Sequence, residues 1–292
     1  MKKLCLWVFV AAACGGSRED KPIDIQGHRG ARGLAPENTL EAFVMATKMG
    51  VKTLELDLVV SKDNQLVVSH EPYFSPAFCL DPLGGELKMD STINMYQLDY
   101  DEIAAYDCGS KGNERFPEQE RFVAHRPLLS QVLDSIETLV ITTGRAPIYY
   151  NIELKTTRST DSVFHPTPQA FSDLVYEMIT QKDLWDKVNI QSFDFRTLKY
   201  FNETYPEVKL ALLIENEVPW EKNIDSLGFK PEIYSCYFKL LDQKVVNEMQ
   251  ESGMKVIPWT VNELTDLNEM LALEVDGIIT DYPDRALTLI KE

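Results

Sequence analysis

Three carboxylates on two predicted strands have the spacing of a metal site. Glu55 and Asp57 lie two residues apart in the run TLELDLVV (53–60), so they project from one face of that strand. Glu153 lies in a second such run, IYYNIEL (148–154). Inward carboxylates on buried parallel strands are costly unless a cation compensates their charge. Because carboxylate oxygens suit hard divalent ions, the sequence predicts one bound Mg²⁺ or Ca²⁺.

Two structural alternatives would need no metal. The strand 53–60 could lie at an exposed edge with its acids in water, although its apolar neighbours are typical of a buried strand. Glu153 could form a buried ion pair with Lys155, which shares its face of the strand, but such pairs stabilise weakly. In the metal hypothesis, Lys155 instead supplies the positive charge that a phosphate group needs.

Two histidines lie at the ends of apolar runs, where a proton-transfer group is expected. His28 and Arg29 follow the first strand in GHRG, and His70 ends the run NQLVVSHEP. A histidine near neutral pKa can protonate an alkoxide leaving group or accept a proton from an attacking one. The remaining histidines, His125 and His165, have no such context and are predicted to be surface or structural residues.

Strands that end at one edge are needed to bring these residues together. Amphipathic helical runs alternate with eight β-type runs, which cover residues 23–27, 53–60, 148–154, 188–193, 209–214, 232–236, 255–261 and 276–280. Eight alternations predict an α/β fold, a closed (β/α)8 TIM barrel, with catalytic residues at the carboxyl ends of the strands. Asn38, in the run PENT, is predicted to cap the first helix.

The interval between His70 and Arg126 breaks this alternation. It is rich in Pro, Gly and Asp, and a structureless loop of that length is unusual in a compact domain. We predict an insertion after the second strand, at about residues 72–125, on the catalytic face. Cys79 and Cys108 both fall in it and could form a disulfide, which would leave Cys236 unpaired.

The N-terminal residues have the features of an export signal. MKKLCLWVFVAAA (1–13) combines two lysines, an apolar run and small residues, and the run is too short to span a membrane. Cys14 follows it in a sequence that resembles a bacterial lipobox, so we predict an exported lipoprotein that faces the periplasm or the cell exterior. Residues 14–22 would then be a lipid-anchored tether and 23–292 the barrel domain. Plain secretion is the alternative, since AAAC lacks the usual leucine three residues before the cysteine.

The acidic composition limits the classes of partner. A net charge of -17 repels nucleic acid and anionic bilayers at long range, so nucleic acid is excluded as a partner. The same charge repels a phosphodiester. A site for that substrate therefore needs local cations or a bound metal.

These motifs together resemble the glycerophosphodiester phosphodiesterase family, over residues 23–290. The segments that carry the resemblance are GHRG with PENT, LELDL, SHEP, NIELK, QSFDF, IPWTVN and DGIITDYP. The family's fold is a (β/α)8 barrel. The resemblance implies metal-dependent hydrolysis of small-molecule glycerophosphodiesters to an alcohol and glycerol 3-phosphate.

The same resemblance implies a role for each matched residue. The metal ligands would be Glu55, Asp57 and Glu153, the acid/base pair His28 and His70, the phosphate-binding residues Arg29 and Lys155, and the pocket-shaping residues Gln191, Ser192 and Trp259. It leaves open which histidine is the acid, and whether water or a substrate hydroxyl attacks.

Two other functions are compatible with such a barrel. One is a phospholipase C or D that acts on intact phospholipids. The other is a catalytically silent barrel that only binds phosphorylated ligands, although a silent relative would be expected to have lost a histidine or a carboxylate.

Overall fold

The computed structural model describes residues 23–90 and 92–291. The predicted signal peptide (1–13), the predicted tether (14–22) and the lipidated Cys14 lie outside these residues and stay predictions.

Eight parallel strands interleaved with helices form the barrel. They are β1 (Asp24–Gly27), β2 (Thr53–Val60), β4 (Tyr149–Leu154), β5 (Val188–Ser192), β6 (Lys209–Ile214), β7 (Ile233–Cys236), β8 (Lys255–Val256) and β9 (Gly277–Thr280). Their order in the sheet is β8-β7-β6-β5-β4-β2-β1-β9. The two ends of this sheet are joined by backbone hydrogen bonds from Asp276 N to Val256 O and from Ile279 N to Pro258 O, both 2.9 Å. The predicted (β/α)8 barrel is therefore confirmed.

Strand β8 of the barrel is shorter than the sequence predicts. We expected a strand over 255–261, but β8 ends at Val256. Pro258 has no amide hydrogen, so regular pairing cannot continue through it. Val261 N still donates to Ile279 O at 3.0 Å, which keeps the segment beside β9.

The helices surround the barrel, and most follow a strand directly. They are α1 (Leu40–Met49), α2 (Tyr100–Ile103), α3 (Leu129–Thr143), α4 (Pro168–Lys182), α5 (Phe195–Thr204), α6 (Trp220–Leu227), α7 (Gln243–Glu251), α8 (Leu264–Ala272) and α9 (Pro283–Leu289). No helix in the described ranges is both long and apolar enough to cross a membrane.

The prediction that Asn38 caps α1 is wrong. The cap is Thr39, whose extended backbone lets its Oγ1 accept a hydrogen bond from Ala42 N at 3.2 Å. Asn38 instead has a left-handed φ of 55°, and its Nδ2 donates to Asp57 Oδ2 at 2.8 Å. The helix is thus capped by Thr39, the last residue of PENT, which leaves Asn38 free to face the barrel mouth.

Strand β2 is buried on both faces. Leu54, Leu56 and Leu58 are fully buried in the main apolar core between the barrel and its helices. On the opposite face Glu55 is 1% exposed and Asp57 is 0% exposed. The alternative of an exposed edge strand is therefore excluded, and both acids point into the barrel.

The interior of the barrel has a polar and an apolar side. On the apolar side Ala211, Ile233, Ile257 and Ile279 pack together. The polar side holds a chain of hydrogen-bonded amides, in which Asn151 Nδ2 donates to Gln26 Oε1 at 2.9 Å and to Gln191 Oε1 at 3.0 Å. Gln191 Nε2 in turn donates to Glu55 Oε1 at 2.8 Å. Each buried amide thereby has a partner, and the last one orients a carboxylate.

A short strand that the sequence analysis missed connects the barrel to a second, smaller core. Strand β3 (Leu66–Val68) pairs antiparallel with the end of β2. The segment 69–128 that follows contains α2 and its own apolar cluster, and Cys79 and Cys108 form a disulfide within it. Cys236 is free and buried. The description of part of this segment as an insertion stays a prediction.

Candidate functional site

A cavity of about 420 Å³ opens at the carboxyl ends of the strands. Eight of the residues predicted for the site line it: His28, Arg29, Glu55, His70, Glu153, Lys155, Gln191 and Trp259. Asp57 lies below its floor and contacts residues of the wall. Residues of the segment 69–128, among them Tyr73 and Arg115, form part of the wall, so this segment does lie on the face predicted for it.

The three predicted metal ligands form one buried cluster. Asp57 on β2 pairs in register with Glu153 on β4, and Glu55 precedes Asp57 on the same face. One carboxylate oxygen of each residue lies within 4.8 Å of the others. Burial raises the pKa of Glu55 well above its usual range, and the charges of Asp57 and Glu153 raise it further. The cluster therefore resists carrying three negative charges without a compensating cation.

Two side-chain cations lie against this cluster. Lys155 Nζ is 2.7 Å from Glu153 Oε1 and 3.0 Å from Asp57 Oδ1, and Arg29 Nε is 3.2 Å from Asp57 Oδ2. Burial opposes the charge of Asp57, but the charges of Lys155 and Arg29 outweigh it and hold the pKa of Asp57 well below its usual range. The Glu153–Lys155 ion pair that we considered as an alternative thus exists beside the carboxylate cluster.

The donor set fits a hard divalent cation. Three carboxylates against two side-chain cations leave one uncompensated negative charge. Asp57 Oδ1 is buried, and the Lys155 ammonium 3.0 Å away is its ion-pair partner among the described residues. All three candidate ligands are carboxylates, which suit magnesium or calcium better than zinc.

The turn GHRG ties Arg29 to the cluster through both its backbone and its side chain. Arg29 has a φ of 52° and Gly30 a φ of 88°, and a Cβ on Gly30 would lie 2.6 Å from the backbone carbon of Ala42. This turn aims Arg29 N at Glu55 Oε2, 2.9 Å away. Only glycine fits at position 30, because the left-handed backbone packs directly on α1.

His28 is held by a carboxylate that the sequence analysis missed. His28 Nδ1 lies 2.7 Å from Oδ1 of Asp281, which follows β9. Although burial disfavours the charge of Asp281, the neighbouring His28 and Arg32 hold the pKa of Asp281 below its usual range. An ionised carboxylate only accepts, so Nδ1 carries the proton and Nε2 is the free nitrogen. Burial and the charge of Arg32 lower the pKa of His28 to about 4.

His70 has the same arrangement in a more open place. Its Nδ1 lies 2.8 Å from Glu71 Oε1, and this hydrogen bond lowers the pKa of Glu71. The His70 side chain is 30% exposed, against 12% for His28. Both imidazoles therefore leave Nε2 free at the cavity wall, one inside the barrel mouth and one near its rim.

A second missed carboxylate, Glu37, organises the arginines. Glu37 Oε1 accepts a hydrogen bond from Arg29 Nη1 at 2.9 Å, and its backbone oxygen accepts one from Arg126 Nη1 at 2.6 Å. Burial raises its pKa, but Arg29 and Arg32 outweigh burial and lower the pKa of Glu37 to about 2. Glu37 and Asp281 both lie in quoted motifs, PENT and DGIITDYP. Their position in these motifs is the signal that could have identified them.

Of the other two residues predicted to shape the pocket, one lies at the cavity wall and one lies behind it. Trp259 Nε1 donates to Ser235 O at 2.9 Å, and its ring packs edge-on against Phe193 at the cavity wall. Ser192 is buried behind the cavity and donates to Leu154 O at 3.1 Å, so its contacts are structural. His125 and His165 do not line the cavity, as expected for surface or structural residues. His165 is buried and its Nε2 accepts a hydrogen bond from Thr157 N at 3.0 Å.

Comparison with known proteins identifies related chains over most of the sequence. The model of the glycerophosphoryl diester phosphodiesterase family matches residues 28–285. A glycerophosphodiester phosphodiesterase of Bacillus altitudinis is 30% identical over 92% of this chain and 98% of its own. A lysophospholipase D of Homo sapiens is 26% identical over 88% of this chain and 83% of its own.

A solved structure supports the same relationship. The crystal structure of a putative glycerophosphoryl diester phosphodiesterase from Silicibacter pomeroyi superposes with a TM-score of 0.83 at 29% identity, over 94% of both chains.

The carboxylate cluster predicts how cation binding responds to neutral isosteres. Glu55→Gln, Asp57→Asn and Glu153→Gln should each weaken binding of Ca²⁺ or Mg²⁺ by about tenfold or more, because each removes one charged ligand. Isothermal titration calorimetry on the purified protein measures this affinity. Asp134→Asn, a change of an exposed carboxylate on α3, is the matched control and should bind as the wild type does. Equal affinity in all four variants would contradict the assignment.

Proposed function

Because the chain belongs to the glycerophosphoryl diester phosphodiesterase family and is therefore a phosphoric diester hydrolase, we propose that it cleaves glycerophosphodiesters to an alcohol and glycerol 3-phosphate. In this proposal one divalent cation and two histidines carry the reaction. The observation that supports it best is that one cavity is lined by Glu55, Glu153 and two imidazoles with free Nε2 atoms, with the third carboxylate, Asp57, directly beside Glu55 and Glu153.

The substrate's phosphate would bind in the cavity, against the divalent cation that the carboxylates would hold and against Arg29 and Lys155. Glu55, Asp57 and Glu153 would hold the cation, which when bound would supply Lewis acidity towards the phosphoryl oxygens. Arg29 and Lys155 line the cavity and add positive charge that is fixed before the substrate arrives. Such preorganised charge is usually the largest contribution to catalysis.

The surroundings of the two histidines favour different roles. His28 lies in the barrel mouth beside Glu55, with Nε2 3.9 Å from Glu55 Oε2. We assign it as the base that takes the proton of the attacking hydroxyl, whether from water or from the substrate. His70 lies nearer the rim, beside wall residues of the segment 69–128 such as Tyr73. We assign it as the acid that protonates the departing alcohol, because that alcohol must leave towards solvent.

Asp281 and Glu71 act through the histidines as positioning residues. Each fixes the proton on Nδ1, so that Nε2 is the atom that exchanges protons. Asp281 is further held by Arg32 Nε at 2.7 Å and by Asn262 Nδ2 at 2.7 Å. His28 therefore has one orientation, as a base at a fixed distance from the substrate requires.

A second substrate class is favoured by an apolar groove. Four apolar residues line it together with Glu215 and Asn216: Phe193, Phe195, Leu213 and Ile214. Phe193 and Leu213 also line the main cavity. The groove could hold the acyl chain of a lysophospholipid, the substrate class in the name of the human relative. Hydrolysis there would use the same carboxylates and histidines.

The proposed function predicts metal-dependent turnover of a small diester. Purified protein should release choline from sn-glycero-3-phosphocholine, lose this activity after exhaustive chelation, and regain it with Mg²⁺ or Ca²⁺. Lysophosphatidylcholine and intact phosphatidylcholine, assayed in parallel, distinguish the second substrate class and a phospholipase. Full activity in a chelated protein that contains no metal by elemental analysis would refute the metal proposal, and no turnover of any diester would leave only a binding function.

The two histidines predict a substrate-dependent loss of rate. His28→Ala and His70→Ala should each keep the fold and the bound cation but lower kcat on glycerophosphocholine by about 10² or more. With a p-nitrophenyl diester the leaving group departs without a proton, so His70→Ala should recover most of its activity and His28→Ala should not. His125→Ala, an exposed histidine away from the cavity, serves as the control. Near-normal turnover of the natural diester by either site variant would rule out the two-histidine mechanism.

We also propose that the protein is an exported lipoprotein, held to a membrane through Cys14. The basis is the sequence of the first residues, with its lysines, apolar run and small residues before Cys14. An anchored enzyme of this kind would act on diesters outside the cytoplasm. The strongly acidic domain would stay off an anionic bilayer, because the net charge of the chain, -17, repels the surface.

If Cys14 carries a lipid anchor, replacing Cys14 should change the location of the protein without changing its activity. Cys14→Ser should move the protein from the membrane pellet to the soluble fraction of cells, with unchanged kcat/KM. Fractionation followed by assay of both fractions measures this. Equal membrane retention of the Cys14→Ser protein would show that lipidation at Cys14 does not hold it there.

A further inference from the structure

We propose that Arg115 and Asn113 form a head-group subsite that favours alcohols with an anionic end, such as a carboxylate. The proposal rests on the proposed phosphodiesterase function, because it concerns the leaving alcohol of that reaction. Both residues line the cavity, and Asn113 is 8% exposed. They come from the segment 69–128, which also supplies Glu71 and Tyr73 beside the proposed acid His70.

The loop that carries these residues is docked on the first barrel turn. Gln119 Nε2 donates to Arg32 O at 2.7 Å and to Ala35 O at 3.0 Å. Phe116 is 6% exposed, and the Arg32 guanidinium lies 4.7 Å from the centre of its ring. The position of the loop relative to the catalytic residues is therefore set by packing.

Within this docked loop the backbone of Arg115 is held locally. Arg115 N donates to Asn113 Oδ1 at 3.1 Å, and Phe116 N donates to Asn113 O at 2.9 Å. Asn113 thus closes a turn that presents Arg115 at the cavity wall. The backbone of Arg115 is therefore fixed before a ligand arrives, while its exposed side chain would be ordered on binding.

Arg115 differs from the other cations of the cavity in its charge partners. Those others pair with carboxylates, as Arg29 with Glu37, Arg32 with Asp281 and Lys155 with Glu153. Across residues 23–90 and 92–291 no ion pair to Arg115 is found, and its guanidinium lies 5.7 Å from the centre of the Phe116 ring. Its charge is thus available to a bound molecule.

Among the described residues, no carboxylate of the cavity wall forms an ion pair with Arg115. Glu71 also lines the cavity, but its carboxylate is hydrogen-bonded by His70 and by Tyr73. Glu114, the chain neighbour of Arg115, does not line the cavity. Glu71 keeps its negative charge, so the preference for an anionic head group rests on direct pairing with Arg115, which a cationic head group cannot form.

A matched pair of substrates isolates the contribution of one carboxylate. The head groups of sn-glycero-3-phosphoserine and sn-glycero-3-phosphoethanolamine differ only by a carboxylate. In the metal-loaded wild type, kcat/KM should be about fivefold higher for the serine diester, the size expected for a partly exposed ion pair. Arg115→Gln should abolish that preference by slowing the serine diester, with the ethanolamine diester changed by less than about twofold.

Two further variants sharpen the test. Arg115→Glu should reverse the preference, and Arg115→Lys should keep most of it. Arg121→Gln makes the same change of charge in the same loop, at an exposed residue that does not line the cavity, and should behave as the wild type does. Raising the salt concentration should reduce the preference in the wild type, because the pair is solvent-accessible.

Several outcomes would overturn the subsite. These are no preference in the wild type, a preference for the ethanolamine diester, or an equal loss on both diesters in Arg115→Gln. Failure of the underlying function gives a different result, since no variant and no wild type would then cleave either diester. The two failures are thus distinguishable in one set of assays.

Discussion

Burial of three carboxylates inside a parallel barrel is the constraint on which the rest of the site depends. Glu55, Asp57 and Glu153 are each less than a tenth exposed, and their oxygens approach within 4.8 Å. Removing such charges from water costs several kcal/mol per ion in real proteins. The ion pairs and hydrogen bonds around the three carboxylates offset part of this free-energy cost. Lys155 and Arg29 bring positive charge, and Gln191, Asn38 and the Arg29 backbone amide donate hydrogen bonds.

The barrel architecture places these carboxylates beside the other residues of the candidate site. Neighbouring parallel strands place Asp57 beside Glu153 in register, and the same strand ends carry Lys155 and, after β1, His28. The carboxylates Asp281 and Glu71 then orient the two imidazoles from outside the cluster. Without a metal, the three carboxylates together with Lys155 and Arg29 carry a net negative charge. A bound divalent cation would make this net charge positive, and the site would then attract a phosphodiester. The acidic surface of the domain makes this local reversal necessary.

Much of this arrangement could be predicted from the sequence, because it follows from strand periodicity. The two-residue spacing of Glu55 and Asp57 gives their common face, and eight alternations of strand and helix give the barrel. Strand periodicity alone does not identify Asp281, because its contact with His28 spans 253 residues across the closure of the barrel, and only its place in the motif DGIITDYP marks it. The capping prediction for Asn38 was wrong because both Asn38 and Thr39 are residue types that suit a helix start. The choice between them depends on a contact from another part of the chain, because Asn38 donates a hydrogen bond to Asp57 at the barrel mouth.

The central claim is that the buried carboxylates exist to hold a divalent cation, and crystals soaked in Mn²⁺ test it most directly. Manganese accepts oxygen ligands as magnesium and calcium do, and it scatters anomalously. The account predicts an anomalous difference peak bounded by the carboxylates of Glu55, Asp57 and Glu153. An absent peak, or one elsewhere, with the carboxylates still paired to Lys155 and Arg29, would contradict it.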